Sequence, residues 1–258
     1  MDFEGRNAIV TGGAAGIGKA VAQRLVASGA QVIIGDIDFN KAKETAAGIE
    51  PSTKRCQAHP LDLADMDSIA AFVDSVAPWS NKVDILVNCA GIAAPEEFFE
   101  LTPKQWDRIM DINLKGTFFL SQKISHAMSE AGYGRIVNLS SASAFTPSTR
   151  PMVSYDVSKA ALVMLTKVMA LKLASYGITV NSVAPGPVVT DLLRQFFDDP
   201  NTLEKGVEGI PIGRLAQPDD VVEAILFFCS ERSGYITGTT LPVEGGNLLV
   251  KHIVYGVE

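Results

Sequence analysis

The chain has 258 residues, 47% hydrophobic and 20% charged, which fits a globular fold able to bury a core without metal or disulfide. Its 22 basic and 29 acidic side chains leave a formal net charge of −7, which argues against a nucleic-acid backbone or an anionic membrane as main partner. The cysteines (Cys56, Cys89, Cys229) and histidines (His59, His126, His252) are scattered, so they read as buried or surface side chains, not as disulfides or a metal site.

Met1 to Arg6 lead into an apolar run with no signal-peptide pattern, and no apolar stretch reaches the length of a membrane span, so a soluble cytoplasmic protein is expected. Strands are expected at Asn7–Thr11, Gln31–Asp36, a weaker 54–62, 83–90, 135–140, 178–184 and 239–244. Most of these runs are continuously apolar, as in strands covered on both faces. Helical periodicity occupies 18–28, 65–77, 103–129, 153–176 and 218–230, with Pro103 and Pro218 where a first helical turn tolerates proline. This alternation predicts an α/β fold with a doubly wound, mainly parallel sheet. No linker, repeat or low-complexity tract interrupts it, so residues 1–258 read as one domain. Ligands of such sheets bind outside the carboxyl ends of the strands.

The first run ends in Thr11-Gly12-Gly13-Ala14-Ala15-Gly16-Ile17-Gly18, opening into a helix whose N-terminus favours a pyrophosphate. Alone, such a turn is equally a plain tight turn. Asp36 closes the second run where a carboxylate would meet the adenosine ribose hydroxyls and repel a 2′-phosphate. Ala15 and Ile37 offer no compensating positive charge, so NAD is expected over NADP. Asp62 and Leu63 follow the third run, and Asn88, Ala90 and Gly91 the fourth; each is also readable as a simple strand end.

Tyr155 and Lys159, four residues apart on an expected helix, share one face. A phenol near an ammonium and a cationic nicotinamide could take a proton from an alcohol or give one to a ketone.

Together, T-G-x-x-x-G-x-G at 11–18, Asn88–Gly91, Asn113, Ser140-Ser141, Tyr155–Lys159, Pro185-Gly186 and Val243-Glu244-Gly245-Gly246 resemble the short-chain dehydrogenase/reductase family, in order along nearly the whole chain. The resemblance implies a Rossmann-type sheet of seven parallel strands, usually in a homotetramer. It implies Tyr155 as general acid/base and Lys159 on the nicotinamide ribose, lowering the tyrosine pKa. It further implies Asn113 holding a water relay, a serine on the substrate oxygen, Thr190 at the carboxamide and backbone contacts from Val188. The catalytic serine usually lies thirteen residues before the tyrosine, where this chain has Ala142; strand register favours Ser141, with Ser143 as the alternative.

The segment 191–214, with Leu192, Leu193, Phe196 and Phe197, lies where the family carries its substrate cover. With Ala142, Phe145, Pro147 and Met152 opposite, it suggests an apolar pocket for a small hydrophobic alcohol or ketone; the phenylalanines could equally face core or a subunit contact. Arg150 could meet an anionic substrate group, or be a solvated loop arginine. The C-terminal extension 247–258 is too apolar for a free tail and is expected to pack partly on a neighbouring subunit. The leading reading is an alcohol dehydrogenase or ketoreductase. A silent NAD(H) sensor, which would have no use for the tyrosine, lysine, serine and asparagine, and a 3-oxoacyl thioester reductase are the alternatives.

Overall fold

The computed structural model describes residues 2–51, 55–77, 83–148, 150–196, 207 and 209–250. Strands β1 (Asn7–Thr11), β2 (Gln31–Asp36), β3 (Cys56–Pro60), β4 (Val83–Asn88), β5 (Gly134–Leu139), β6 (Ile178–Pro185) and β7 (Thr240–Val243) form one sheet in the order β3-β2-β1-β4-β5-β6-β7. Every pairing is parallel.

Alternation along the strands explains the continuous apolar runs. In β1, Ala8 and Val10 enter one core and Ile9 the other, since successive side chains point to opposite faces. The first core packs helices α1 (Gly16–Ala27) and α2 (Phe39–Ile49) on the sheet. The second packs α3 (Met66–Ser75) through Ile69 and Phe72.

The expected helix at 103–129 is three segments in one continuous run. α4 (Pro103–Met110) begins at a capping box, in which the Thr102 side chain accepts from Gln105 N while the Gln105 side chain returns to the Thr102 backbone. A π-helical turn, Asp111–Gly116, follows, and α5 (Thr117–Ala131) completes the run. α6 (Val153–Leu173), α7 (Asp191–Arg194), α8 (Pro218–Cys229) and α9 (Asn247–Val250) follow. α8 covers the first core with Val221, Val222, Ile225 and Leu226, while α5 and α6 cover the second with Leu120, Ile124, Met128 and Met169. Lys54, Phe197, Asp198, Asp199, Pro200, and residues 251–258 of the apolar C-terminal stretch lie outside the described residues.

Strand order reverses between β1 and β4, and a crevice opens outside their carboxyl ends.

Candidate functional site

At that crevice the β1–α1 turn and the end of β4 approach closely. Gly12 has φ +66°, and a Cβ there would lie 2.8 Å from Ala90 Cα. At Gly18 a Cβ would sit 2.2 Å from the Gly12 carbonyl oxygen, so the turn closes on itself only without side chains. Asp36 holds the turn from β2: one carboxylate oxygen accepts from Ala14 N at 3.0 Å and the other from Asp38 N at 3.0 Å.

A cavity of 420 Å³ runs over this turn. Its lining brings together Gly12, Ala15, Gly16, Ile17, Gly18, Asp36, Ile37, Asp62, Leu63, Ala90, Gly91 and Thr190, residues that the sequence reading assigns to the cofactor. Lys41 and Arg108, which that reading missed, line it too. Lys41 Nζ lies 3.5 Å from Asp191 Oδ2, linking α2 to α7. A glycine cradle at a helix N-terminus and a carboxylate at the tip of β2 fit a dinucleotide.

A second cavity, of 230 Å³, shares Ile17, Cys89, Gly91, Leu139, Thr190 and Leu192 with the first, so the two are contiguous. Tyr155 and Lys159 line it from one face of α6, and Pro185, Gly186 and Val188 from the end of β6. Lys159 is 4% exposed, and its Nζ donates to the Leu139 carbonyl at 2.8 Å and lies 5.6 Å from the Tyr155 ring centroid. Burial lowers its pKa to about 8 from 10.5. The Tyr155 phenol moves the other way, raised first by burial; a hydrogen bond from Ser141 opposes this and Asp156 adds to it.

The two candidate serines separate here. Ser141 caps the short turn Ala142–Ala144, its hydroxyl oxygen accepting from Ser143 N at 3.2 Å, and it lines the same cavity as Tyr155. Ser143 also lines the cavity, but its hydroxyl donates to Ser141 Oγ at 3.1 Å.

Asn113 sits in the π-helical turn, a feature often found at functional sites. Its Oδ1 accepts from Ile92 N at 2.8 Å, while Nδ2 donates to Ile92 O at 2.9 Å and Ser158 Oγ at 3.0 Å. A Cβ on Gly91 would lie 3.2 Å from Lys159 Nζ and 3.3 Å from Asn113 Oδ1, so lysine and asparagine face each other across that glycine.

Two of the expected residues lie off the cavities. Asn88 lines neither cavity. It is 2% exposed, and its amide donates into the core, to Ser121 Oγ at 2.9 Å and Asn138 Oδ1 at 2.8 Å. Asn138 continues the seam to Thr166 Oγ1 at 2.9 Å, joining β4, β5, α5 and α6 beneath the site. Phe145 is 48% exposed and, like Pro147, does not line the substrate-side cavity, whereas Leu192, Leu193, Phe196, Ala142 and Met152 do. Ala93, Leu215 and Asn247 line it as well, contributed by segments whose approach no local pattern signals.

Cys89 lines both cavities, and burial pushes its thiol up to about 12. Among the described residues, no group of three or more potential ligands could hold a metal ion, and no helix is long and apolar enough to cross a membrane.

A doubly wound parallel sheet with a dinucleotide crevice, opening onto a tyrosine, lysine and serine, defines a nicotinamide-linked oxidoreductase class. Over residues 12–247 the chain matches a family model described as enoyl-(acyl carrier protein) reductase. It is 35% identical over 255 residues to 2,3-dihydro-2,3-dihydroxybenzoate dehydrogenase of Bacillus subtilis, spanning 96% of this chain and 97% of that relative. It is 37% identical over 252 residues to D-threitol dehydrogenase of Mycolicibacterium smegmatis, spanning 95% of each. Among solved structures, 3-ketoacyl-(acyl-carrier-protein) reductase from Brucella melitensis complexed with NADH aligns with a TM-score of 0.88 at 33% identity, over 96% of this chain and 100% of that one. The chain belongs to the short-chain dehydrogenase/reductase family, and it is an oxidoreductase acting on CH–OH groups.

Proposed function

We propose that this chain is an NAD-dependent dehydrogenase interconverting a hydrophobic secondary alcohol and its ketone, with Tyr155 as the proton-transfer group. The observation that carries this reading is the Tyr155 phenol, sharing with Ser141 and Lys159 a cavity that opens onto the glycine turn.

Bound nicotinamide supplies the hydride acceptor or donor. In the oxidative direction the Tyr155 oxygen takes the hydroxyl proton as the carbonyl forms; in reduction it returns the proton to the new alkoxide. Ser141 donates to the substrate oxygen and fixes it beside the phenol. Burial alone opposes the phenolate, so positive charge is needed nearby, and the Lys159 ammonium supplies it. A lysine at about 8 stays mostly protonated at neutral pH. Asn113, bonded to Ile92 and Ser158, holds the β4–α4 connection against α6 and so fixes Lys159 and the water relay assigned to it.

For the cofactor, Gly12, Gly16 and Gly18 leave the crevice open, Ala15, Ile17 and Ile37 form its walls, and Asp62, Leu63, Ala90 and Gly91 border the adenosine side. Pro185, Gly186, Val188 and Thr190 receive the nicotinamide end. Asp36, pinned by two backbone amides, cannot swing away from a 2′-phosphate, which supports NAD over NADP. Lys41 lies in the same cavity but is engaged with Asp191. Leu192, Leu193 and Phe196 on the substrate-side cavity support the reading of the 191–214 segment as the substrate cover. The exposed stripe of Met164, Val168 and Leu171 on α6 supports a subunit contact, which we read as part of a homotetramer.

The test is NADH formation with NAD and a panel of secondary alcohols, hydroxy acids and polyols, for wild type and Tyr155→Phe. We expect turnover that the variant loses by about a hundredfold or more and that NADP does not support. Equal turnover by Tyr155→Phe refutes the assignment. Tight NADH binding without turnover of any compound favours the sensor.

A further inference from the structure

We infer that Glu96 is a positioning residue for the reaction: its buried carboxylate caps α6 from the β4–α4 connection and so fixes where the Tyr155 phenol stands. This rests on the reading of Tyr155 as the proton-transfer group.

α6 has no side-chain cap of its own. Its N-cap residue is Met152, which makes no cap bond. The first-turn amides of a helix find no partner within it. One of them, Ser154 N, donates instead to Glu96 Oε2 at 2.8 Å, across 58 residues of sequence. The main chain of Glu96 grips the approach to the same helix. Its N donates to the Pro151 carbonyl at 2.7 Å, and Glu96 pairs with Met152 as an isolated parallel bridge. One residue thus holds the start of α6 through both backbone and side chain, and the residue after Ser154 is Tyr155.

Glu96 is 2% exposed, and Ser154 is fully buried. A carboxylate withdrawn from water is costly unless it is well bonded, and a helix N-terminal amide is a favourable donor to it. Glu96 Oε1 and Ser154 Oγ are buried with no hydrogen-bond partner among the described residues. Among those residues the carboxylate is therefore oriented by the Ser154 amide alone. An apolar side chain would fill the same space at less cost. What the carboxylate adds is direction, holding the first turn of α6 at one height and one rotation.

A second tie lies one turn along the helix, where Asn113 bonds the Ile92 backbone and donates to Ser158 Oγ at 3.0 Å. Ser154 and Ser158 share one face of α6, and Tyr155 and Lys159 share the next, about a quarter turn round. The β4–α4 connection is attached to the serine face at two points, Ile92 and Glu96. Ala93, a wall of the substrate-side cavity, lies between them. The two ties therefore set the gap between that wall and the phenol, and the Glu96 tie acts in the turn that carries Tyr155.

The test compares Glu96→Gln and Glu96→Ala, which both lack the charge and differ in the acceptor oxygen. In Glu96→Gln a carbonyl still accepts from Ser154 N, and the Ser154 hydroxyl is available to the new amide. Oxidation of cyclohexanol by NAD is measured per NADH-binding site, counted by fluorescence titration, so that unfolded protein drops out. Glu96→Gln is expected to stay within about threefold of wild type. Glu96→Ala is expected to lose about tenfold to a hundredfold in kcat, with the KM for NAD within about twofold. A purely structural cap would reduce the number of sites and leave kcat per site unchanged. Fluorine NMR of the NADH complex, labelled with 3-fluorotyrosine, reads the phenol without any substrate. The chain has five tyrosines, and Tyr155→Phe assigns the resonance. That resonance is expected to coincide in wild type and Glu96→Gln and to be displaced or split in Glu96→Ala. If Glu96→Ala does not fold, Glu96→Asp, whose oxygen is drawn back by one methylene, replaces it with the same expected direction. Equal kcat per site in the two variants overturns the proposal, and so does a Tyr155 resonance that stays in place. A displaced resonance in a protein whose wild type leaves cyclohexanol untouched supports the cap and counts against the dehydrogenase reading instead.

Discussion

Replacing Lys159 by methionine should change how stability depends on pH. The ammonium is 4% exposed, and burial holds its pKa at about 8, against 10.5 for an ordinary lysine. Because the folded-state value is the lower one, the folded protein releases this proton first as pH rises. Between those two values the unfolded chain binds more protons, so this group adds stability as pH increases. The penalty of burying the charge is fully present below about pH 8 and disappears as the lysine neutralises. Linkage over that gap gives a gain of about 2 kcal/mol between about pH 7 and about pH 9.5, and roughly 3 kcal/mol once both states are deprotonated. The assay is urea unfolding of wild type and Lys159→Met at the two pH values, with the stability difference taken at each, so that other titrating groups cancel. Wild type should gain about 2 kcal/mol on the variant at the higher pH. A flat difference, or one that falls, would show that the ammonium is not desolvated and that the charge placed beside Tyr155 is solvated.

Other perturbations follow from the same geometry. Ser141→Ala should cut kcat/KM by about tenfold to a thousandfold and Ser143→Ala by much less, because the Ser143 hydroxyl is turned onto Ser141 Oγ; the reverse order in steady-state kinetics would transfer the role to Ser143. Asp36→Ala should lower the NAD over NADP ratio of kcat/KM by about tenfold or more, and an unchanged ratio would deny the carboxylate that role. Gly12→Ala forces a side chain onto φ +66° and against Ala90, so it should lose about 1–3 kcal/mol and weaken NADH binding. A thermal midpoint matching wild type would contradict that packing. Thr102→Ala removes half of the α4 capping box and should cost about 1 kcal/mol in the same unfolding assay.

The central strands are legible because their apolar residues alternate between two cores, so the runs stay largely apolar despite single polar positions such as Asn138 and Asn181. β3 reads weakly because, at one edge of the sheet, only Cys56 of its five residues is buried and the others, such as Gln57 and His59, break the apolar run. α2 escapes the pattern because only Ala42, Thr45 and Ala46 of its eleven residues are buried. The π-helical turn is invisible for a different reason: apolar spacing carries on through 103–129, and only the hydrogen-bond ladder widens at Asp111. In the site, Tyr155 and Lys159 were readable as an i, i+4 pair and Asp36 as a strand tip, both local features. Lys41, Arg108, Ala93 and Asn247 reach the cavities from elements brought close only by the sheet order. Asn88, a strand-end asparagine beside the crevice, turns its amide to the interior, which strand position alone does not signal.

The amide and hydroxyl seam of Asn88, Ser121, Asn138 and Thr166 has a bearing on how such an enzyme can be altered. Removing any one member strands a buried donor or acceptor, so these positions resist single replacements. Ala93, Met152, Leu192 and Phe196 line the cavity above without any side-chain hydrogen bond to that seam, and they can be exchanged in volume and shape one at a time. The chemistry thus rests on a foundation intolerant of drift, while selectivity is carried by side chains that are nearly independent of it. Directed evolution toward a new alcohol should therefore accumulate its successful changes at those upper positions and leave the seam untouched.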